Sequence, residues 1–338
     1  MSKTNITVND IVSAEKLFGI SYSSRERNQM LNNLEGQILS AKLRRENEFE
    51  NTTPMASKFD PRLPGFSMPS ESSLNFKEQT GVLPDNDDEI AYSTVGEQGY
   101  WIKSGFITSR RLTEIYLCRI QNLQNKLECF ATVTNDQALA EADAMDSLTS
   151  VGINLGPLHG IPYGLKDLFD TKGVRTGWGA EPYKNRVPTE DAEIVKRLRA
   201  AGAVILGKTT LGALAYNDIW YGGRTKNPWN LNEGSSGSSA GSASATAAGL
   251  CSFAIGTETL GSITSPSQRC GTTGLRPTFG RVSRQGGMAL CWSLDKVGPI
   301  CRCVEDTGIV LSALNGYDEN DLSSIRAPFN FDTTENIK

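Results

Sequence analysis

The chain is almost devoid of histidine: His159 is the only one in 338 residues. Metal sites built on imidazole are therefore nearly excluded, and no histidine lies downstream to serve a later nucleophile. Cysteine is sparse and unpatterned. Cys118, Cys129, Cys251, Cys270, Cys291, Cys301 and Cys303 are odd in number and form no Cys-x-x-Cys pair. They read as small buried residues in a reducing compartment, not as a disulfide framework or a zinc site. No run approaches the ~20 apolar residues of a membrane span. The first residues, Met1-Ser2-Lys3-Thr4-Asn5-Ile6-Thr7, lack the apolar stretch of a signal peptide. Neither sign of charge dominates: 34 basic against 38 acidic residues give a net charge of −4. That leaves no electrostatic footprint for nucleic acid or an anionic membrane, and Lys42-Leu43-Arg44-Arg45 reads as one solvated helix face. These absences lead us to expect a soluble cytoplasmic protein with no cofactor, no nucleic-acid partner and no membrane partner.

What is present divides the chain. Ser23-Ser24-Arg25-Glu26 is a capping box, and Met30, Leu31, Leu34, Ile38 and Leu39 follow at helical spacing. A helix over about 24–47 is expected inside a helical region 1–50. Residues 51–88 hold Pro54, Pro61, Pro64, Pro69 and Pro84 among Ser, Asn and Asp, without periodicity. This is a linker, or an extended arm lying on another surface. The main domain is expected over 89–325, with a tail at 326–338. Helices are expected at about 109–125, 136–149, 190–201, 239–249 and 304–314. Buried strands are expected at about 158–166, 203–206 and 253–256. Helices alternating with short buried strands imply an α/β domain.

Two motif matches conflict with their physical context. Gly202-Ala-Val-Ile-Leu-Gly207-Lys208-Thr209 fits the phosphate-loop pattern, yet Ala203-Val204-Ile205-Leu206 between the glycines is strand-forming, not a loop with inward amides. Gly237-Ser238-Ser239-Ala240-Gly241 fits the nucleophile elbow around Ser239, yet the elbow needs a preceding strand and a following histidine.

A third set of segments is more telling. Residues 234–249, rich in Gly, Ser and Ala, lie between Gly160-Ile161-Pro162-Tyr163-Gly164-Leu165-Lys166-Asp167 and Gly256-Thr257-Glu258-Thr259-Leu260-Gly261-Ser262-Ile263. Asn227-Pro228-Trp229-Asn230, Gly274-Leu275-Arg276-Pro277 and Ser293-Leu294-Asp295-Lys296-Val297-Gly298-Pro299 complete the series. In this order and at these spacings the segments resemble the amidase signature family over about residues 90–325. The resemblance implies an amidase-signature fold: a mixed β-sheet core covered by helices on both faces, here with a helical N-terminal extension. It also implies a Ser-cisSer-Lys group that cleaves a carboxylic amide through an acyl-serine intermediate.

Carried over by motif, Ser262 is the nucleophile, Ser238 the bridging serine and Lys166 the base. The peptide Gly237–Ser238 is implied to be cis, with Gly237 and Ser239 supporting. Ser235-Ser236 is a competing register for Ser238, disfavoured by its spacing to Ser262. The chemistry needs these types: a serine hydroxyl is a weak nucleophile until a base takes its proton, and lysine can accept one only when burial keeps it neutral. Backbone N–H groups of Thr259, Leu260, Gly261 and Ser262 would form the oxyanion hole. His159 reads as structural, Cys270 as packing, and Arg276 as an ion-pair residue.

Against the common family pattern, Glu258 stands where an aspartate is usual, Leu260 where a glycine is, and Thr264 where an arginine often follows. Lys208-Thr209-Thr210 lacks an asparagine often found there, and Ala213 replaces an acid. These differences fit a stand-alone amidase that resembles the A component of a tRNA-dependent amidotransferase better than they fit that component itself. The expected partner is a small-molecule amide, with a homo-oligomer possible. The alternatives are the glutaminase-like component of a tRNA-dependent amidotransferase, or an inactive truncated amidase, since family members run on beyond the point where the resemblance fades.

Overall fold

The computed structural model describes residues 6–46, 53, 60, 62–77 and 79–334. The chain divides into two compact units, Met1–Thr53 and Pro54–Lys338; Pro54, Pro61 and the last four residues lie outside the described set.

The first unit is a pair of helices, α1 (Val8–Phe18) and α2 (Ser24–Glu46). Thr7 and Asp10 form a reciprocal capping box at the start of α1, and Gly19 closes it in the left-handed conformation. The expected box at Ser23 and Glu26 is formed, with Glu26 accepting from the Ser23 N–H at 2.7 Å. Arg27 grips Glu15 through two nitrogens at 2.8 and 2.7 Å. No residue of α2 is buried, so its apolar stripe, including Met30 and Leu34, lines an open cavity of about 500 Å³ with Ile11 and Phe18.

In the second unit, the helices are α3 (Asp87–Tyr92), α4 (Val95–Lys103), α5 (Ser109–Leu127), α6 (Asn135–Ser150), α7 (Glu193–Ala200), α8 (Ala240–Ala247), α9 (Thr264–Cys270) and α10 (Val304–Leu314). Strands β1 (Ser73–Asn75) and β12 (Asn330–Asp332) pair in parallel, so part of the expected linker and part of the expected tail are ordered against each other. Two small hairpins, β5 (Ile219–Trp220) with β6 (Gly223–Arg224) and β7 (Lys226–Asn227) with β8 (Asn230–Gly234), lie outside the main sheet.

That sheet holds β2 (Phe130–Val133), β3 (Pro162–Lys166), β4 (Val204–Thr209), β9 (Phe253–Glu258), β10 (Thr273–Gly274) and β11 (Lys296–Cys301). Their order is β10-β11-β9-β3-β4-β2. The central pairs β9–β3 and β3–β4 are parallel, and the outer pairs are antiparallel. Every residue of β3 and β4 is buried. Because successive side chains point to opposite faces, both faces of the sheet centre are covered. Tyr163 of β3 stacks on Phe253 of β9 with ring centroids 5.4 Å apart, a contact worth about 1 kcal/mol beyond its buried area.

Helix α8 is built from alanine, serine and glycine because it runs through the interior. A Cβ on Gly241 would lie 2.2 Å from the Cys129 carbonyl oxygen. The buried serines are satisfied: Ser242 Oγ donates to the Ile255 carbonyl at 2.9 Å and Ser244 Oγ to the Lys226 carbonyl at 2.8 Å.

Candidate active site

Lysine 166 ends β3 and is fully buried. By the alternation of the strand it shares a face with Pro162 and Gly164, while Tyr163 and Leu165 face the other way. Its ammonium nitrogen therefore meets hydroxyls, not the apolar neighbours that its own segment suggests. Nζ donates to Ser238 Oγ at 2.8 Å, Ser239 Oγ at 3.0 Å, Thr257 Oγ1 at 2.8 Å and the Thr257 carbonyl at 3.3 Å. Burial pushes its pKa down to about 7, against the opposing pull of the Asp295 and Glu258 carboxylates.

Gly237–Ser238 is a cis peptide. Gly237 must be glycine, since a Cβ there would sit 1.9 Å from the Asn217 carbonyl oxygen. Ser239 begins α8; its hydroxyl donates to the Thr257 carbonyl at 3.1 Å and accepts the Thr257 N–H at 3.1 Å. Its own N–H donates to the Ser262 carbonyl at 3.0 Å, which ties the Ser262 loop to a residue that also touches Lys166. The competing pair lies elsewhere: Ser235 Oγ donates to the Ser236 carbonyl, and Ser236 shares a hydrogen bond with Ser265 at 2.8 Å.

The loop 259–262 links β9 to α9. Ser262 is nearly buried, whereas Leu260 is 88% exposed. The N–H groups of Leu260 and Ser262 find no acceptor among the described residues, so they are available to a bound oxyanion. Glu258 holds the far side of the loop. Its carboxylate accepts N–H bonds from Ile263 and Thr264 at 2.9 Å each, and meets Arg276 at 3.2 Å. Burial works against the ionised form, but the N–H bonds from Thr264, Ile263 and Gly261 outweigh it and hold the carboxyl below its ordinary pKa.

Sequence reasoning passed over Thr257, although it lies inside the segment 256–263, because a threonine on a strand carries no catalytic signature of its own. It also passed over the role of Asp295, whose partners are distant in sequence. The two misleading motifs resolve physically. Lys208 lies in β4, fully buried. It donates to the Phe169 carbonyl, to Thr171 Oγ1 at 3.0 Å and to Thr176 Oγ1 at 2.9 Å, leaving no phosphate cradle. Ser239 follows no strand directly, and its hydroxyl is fully engaged. His159 is structural: its ring bonds Thr149 at 2.9 Å and the Met145 carbonyl at 3.1 Å. Cys270 is buried, which pushes its thiol up to about 12.

The site brings a buried amine among hydroxyls and sets it beside a loop with unpaired amides. The Amidase family model matches residues 111–338, and the chain belongs to the amidase family. It is similar to the A component of the glutamyl-tRNA(Gln) amidotransferase of Chromohalobacter salexigens, 43% identical over 235 residues, which are 69% of this chain and 48% of that protein. The corresponding protein of Methylococcus capsulatus is 44% identical over 70% of this chain and 49% of its own length. Among solved structures, the peptide amidase from Stenotrophomonas maltophilia matches with a TM-score of 0.65 and 38% identity, over 69% of this chain and 50% of that one. The chain thus spans about half the length of the curated relatives it matches. Among the described residues no helix is long and apolar enough to cross a membrane.

Proposed function

We propose that this chain hydrolyses carboxylic amides by way of Ser262, Ser238 and Lys166. The observation that carries the reading is the buried Lys166 ammonium nitrogen 2.8 Å from Ser238 Oγ. In its neutral form Lys166 takes the Ser238 proton as Ser238 takes that of Ser262. Ser262 Oγ then attacks the amide carbonyl carbon. The resulting oxyanion is received by the N–H groups of Leu260 and Ser262, with Thr259 and Gly261 flanking. Collapse breaks the C–N bond. The proton held by Lys166 returns through Ser238 to the leaving nitrogen, which departs as ammonia or an amine. Water, deprotonated by the same relay, cleaves the acyl-Ser262 ester and releases the acid. These steps use side chains, backbone amides and water. The free cysteines suit the reducing conditions of a cytoplasm.

The test is labelling with a fluorophosphonate probe followed by peptide mass spectrometry. An adduct on Ser262 that disappears in Lys166→Ala supports the assignment; an adduct on Ser239 instead refutes it.

A second reading rests on the likeness to the A components of amidotransferases. In it the same site releases ammonia from glutamine within a larger assembly. Glutaminase activity that rises on adding tRNA, ATP and co-purified partner proteins would favour it over a stand-alone amidase.

A further inference from the structure

The peptide between Thr259 and Leu260 is held by two residues outside the proposed catalytic group. The Thr259 hydroxyl donates to Asp295 Oδ1. Asp295 Oδ2 accepts the N–H groups of Leu290 at 2.8 Å and Cys291 at 3.0 Å, so the carboxylate is nearly buried and is tied into two loops at once. The next residue, Lys296, reaches back and donates from Nζ to the Thr259 carbonyl at 2.9 Å. Lys296 is also paired with Glu258 in the β11–β9 register, which places its side chain at the root of the loop 259–262.

Peptide planarity makes this grip consequential. The Thr259 carbonyl and the Leu260 N–H belong to one rigid plane and point in opposite directions across a trans bond. Fixing the carbonyl on Lys296 therefore fixes the direction of the Leu260 N–H. Anchoring the Thr259 side chain on Asp295 stops the residue from rolling about its own backbone. A loop with so exposed a leucine has little packing of its own to do this.

We infer that Asp295 and Lys296 act together as positioning residues that orient the Leu260 N–H toward the substrate oxyanion. The inference rests on Ser262 being the nucleophile. It makes Asp295 and Lys296 work through Thr259, touching neither substrate nor the reacting atoms.

The experiment is fluorophosphonate inactivation kinetics on the full chain, resolving the limiting rate from the half-saturating probe concentration, alongside unfolding midpoints. Asp295→Asn, Lys296→Met and Thr259→Val, the last removing only one hydroxyl, should each lower the limiting rate. The fall for Lys296→Met should be on the order of 10²-fold, the usual cost of losing one oxyanion donor. The half-saturating concentration should change little, and Lys296→Arg should recover most of the loss. Folded Lys296→Met and Thr259→Val chains that react at the unaltered rate would overturn the proposal. So would losses that only track a lowered unfolding midpoint. If the unaltered chain is labelled at a serine other than Ser262, or at none, the Ser262 reading falls first and takes this inference with it.

Discussion

Two lysines lie on adjacent strands in the centre of the sheet, on its opposite faces, and have come to different ends. Lys166 on β3 and Lys208 on β4 are both fully buried, and Lys208 is the registered partner of Leu165, the residue before Lys166. Burial lowers both, Lys166 to about 7 and Lys208 also below the ordinary lysine value. Desolvation alone therefore does not separate a candidate base from a structural amine. The partners do. Around Lys166 the acceptors are mostly hydroxyls, which can give up a proton as well as receive a bond. Each lysine also has one carbonyl acceptor, but the Thr171 and Thr176 hydroxyls at Lys208 donate on to the Phe169 and Val174 carbonyls and so lead to no second nucleophile. Burial raises the Asp167 carboxyl and the Lys208 charge pulls it back, so the two groups oppose each other's desolvation.

The contrast can be broken by substitution. Lys166→Ala should lower amide turnover per folded molecule by about 10²–10⁴-fold, the range for losing a general base, and also lower the unfolding midpoint, because it leaves a cavity and unpaired buried hydroxyls. Lys208→Met should act on stability alone. It strands three buried acceptors, and should cost about 3 kcal/mol of stability in denaturant titration, leaving turnover per folded molecule within a few-fold. If Lys208→Met abolished turnover in a folded chain, the division of roles would fail.

The pH dependence sharpens the same comparison. Lysine accepts a proton only when neutral, so activity should rise with pH through about 7, where Lys166 loses its charge, and then level off. The stability sign agrees. An unfolded lysine keeps its proton to about 10.5 while the folded one releases it near 7, so Lys166 makes the fold more stable as pH rises across that window. A rate profile flat from about pH 6 to 9 would remove Lys166 as the base.

Smaller effects are expected at the loop. Glu258→Gln keeps an acceptor for the Ile263 or Thr264 N–H but loses the Arg276 pair, which is half exposed on the arginine side. It should lower turnover less than Lys166→Ala does and stability by about 1 kcal/mol. Leu260→Gly should leave stability within about 0.5 kcal/mol, as expected of an exposed side chain, and change the preference among amides. A panel of acetamide, benzamide and a longer-chain amide would read this out.

Much of the fold was legible from the chain because periodicity and local chemistry coincide. The helix expected at 109–125 is α5 with a threonine cap, Thr108, that accepts from Arg111. The strand expected at 203–206 runs on to Thr209 as β4, and its added residues include the lysine of the false phosphate loop. Others were illegible for physical reasons. Helices α1, α3 and α4 were not singled out, although their caps at Thr7, Asn86 and Thr94 are local signals that mark each start. Strand β11 contains Gly298 and Pro299, which propensity argues against; its place in the sheet is set by its neighbours β9 and β10. At the site, the family-like segments pointed to Lys166, Ser238 and Ser262. Thr257, Asp295 and Lys296 emerged only from contacts across the sheet, which no local pattern encodes.

The small parallel pair β1–β12 has a temporal consequence. Its partners are separated by 257 residues, as in the bond from the Ser73 N–H to Asn330. During synthesis at about 5–20 residues per second, β1 leaves the ribosome roughly 10–50 s before β12 exists to receive it. The arm around Ser73–Asn75 must therefore wait, undocked, while the sheet assembles. A protease or chaperone acting in that interval would find it in nascent chains and miss it in finished ones.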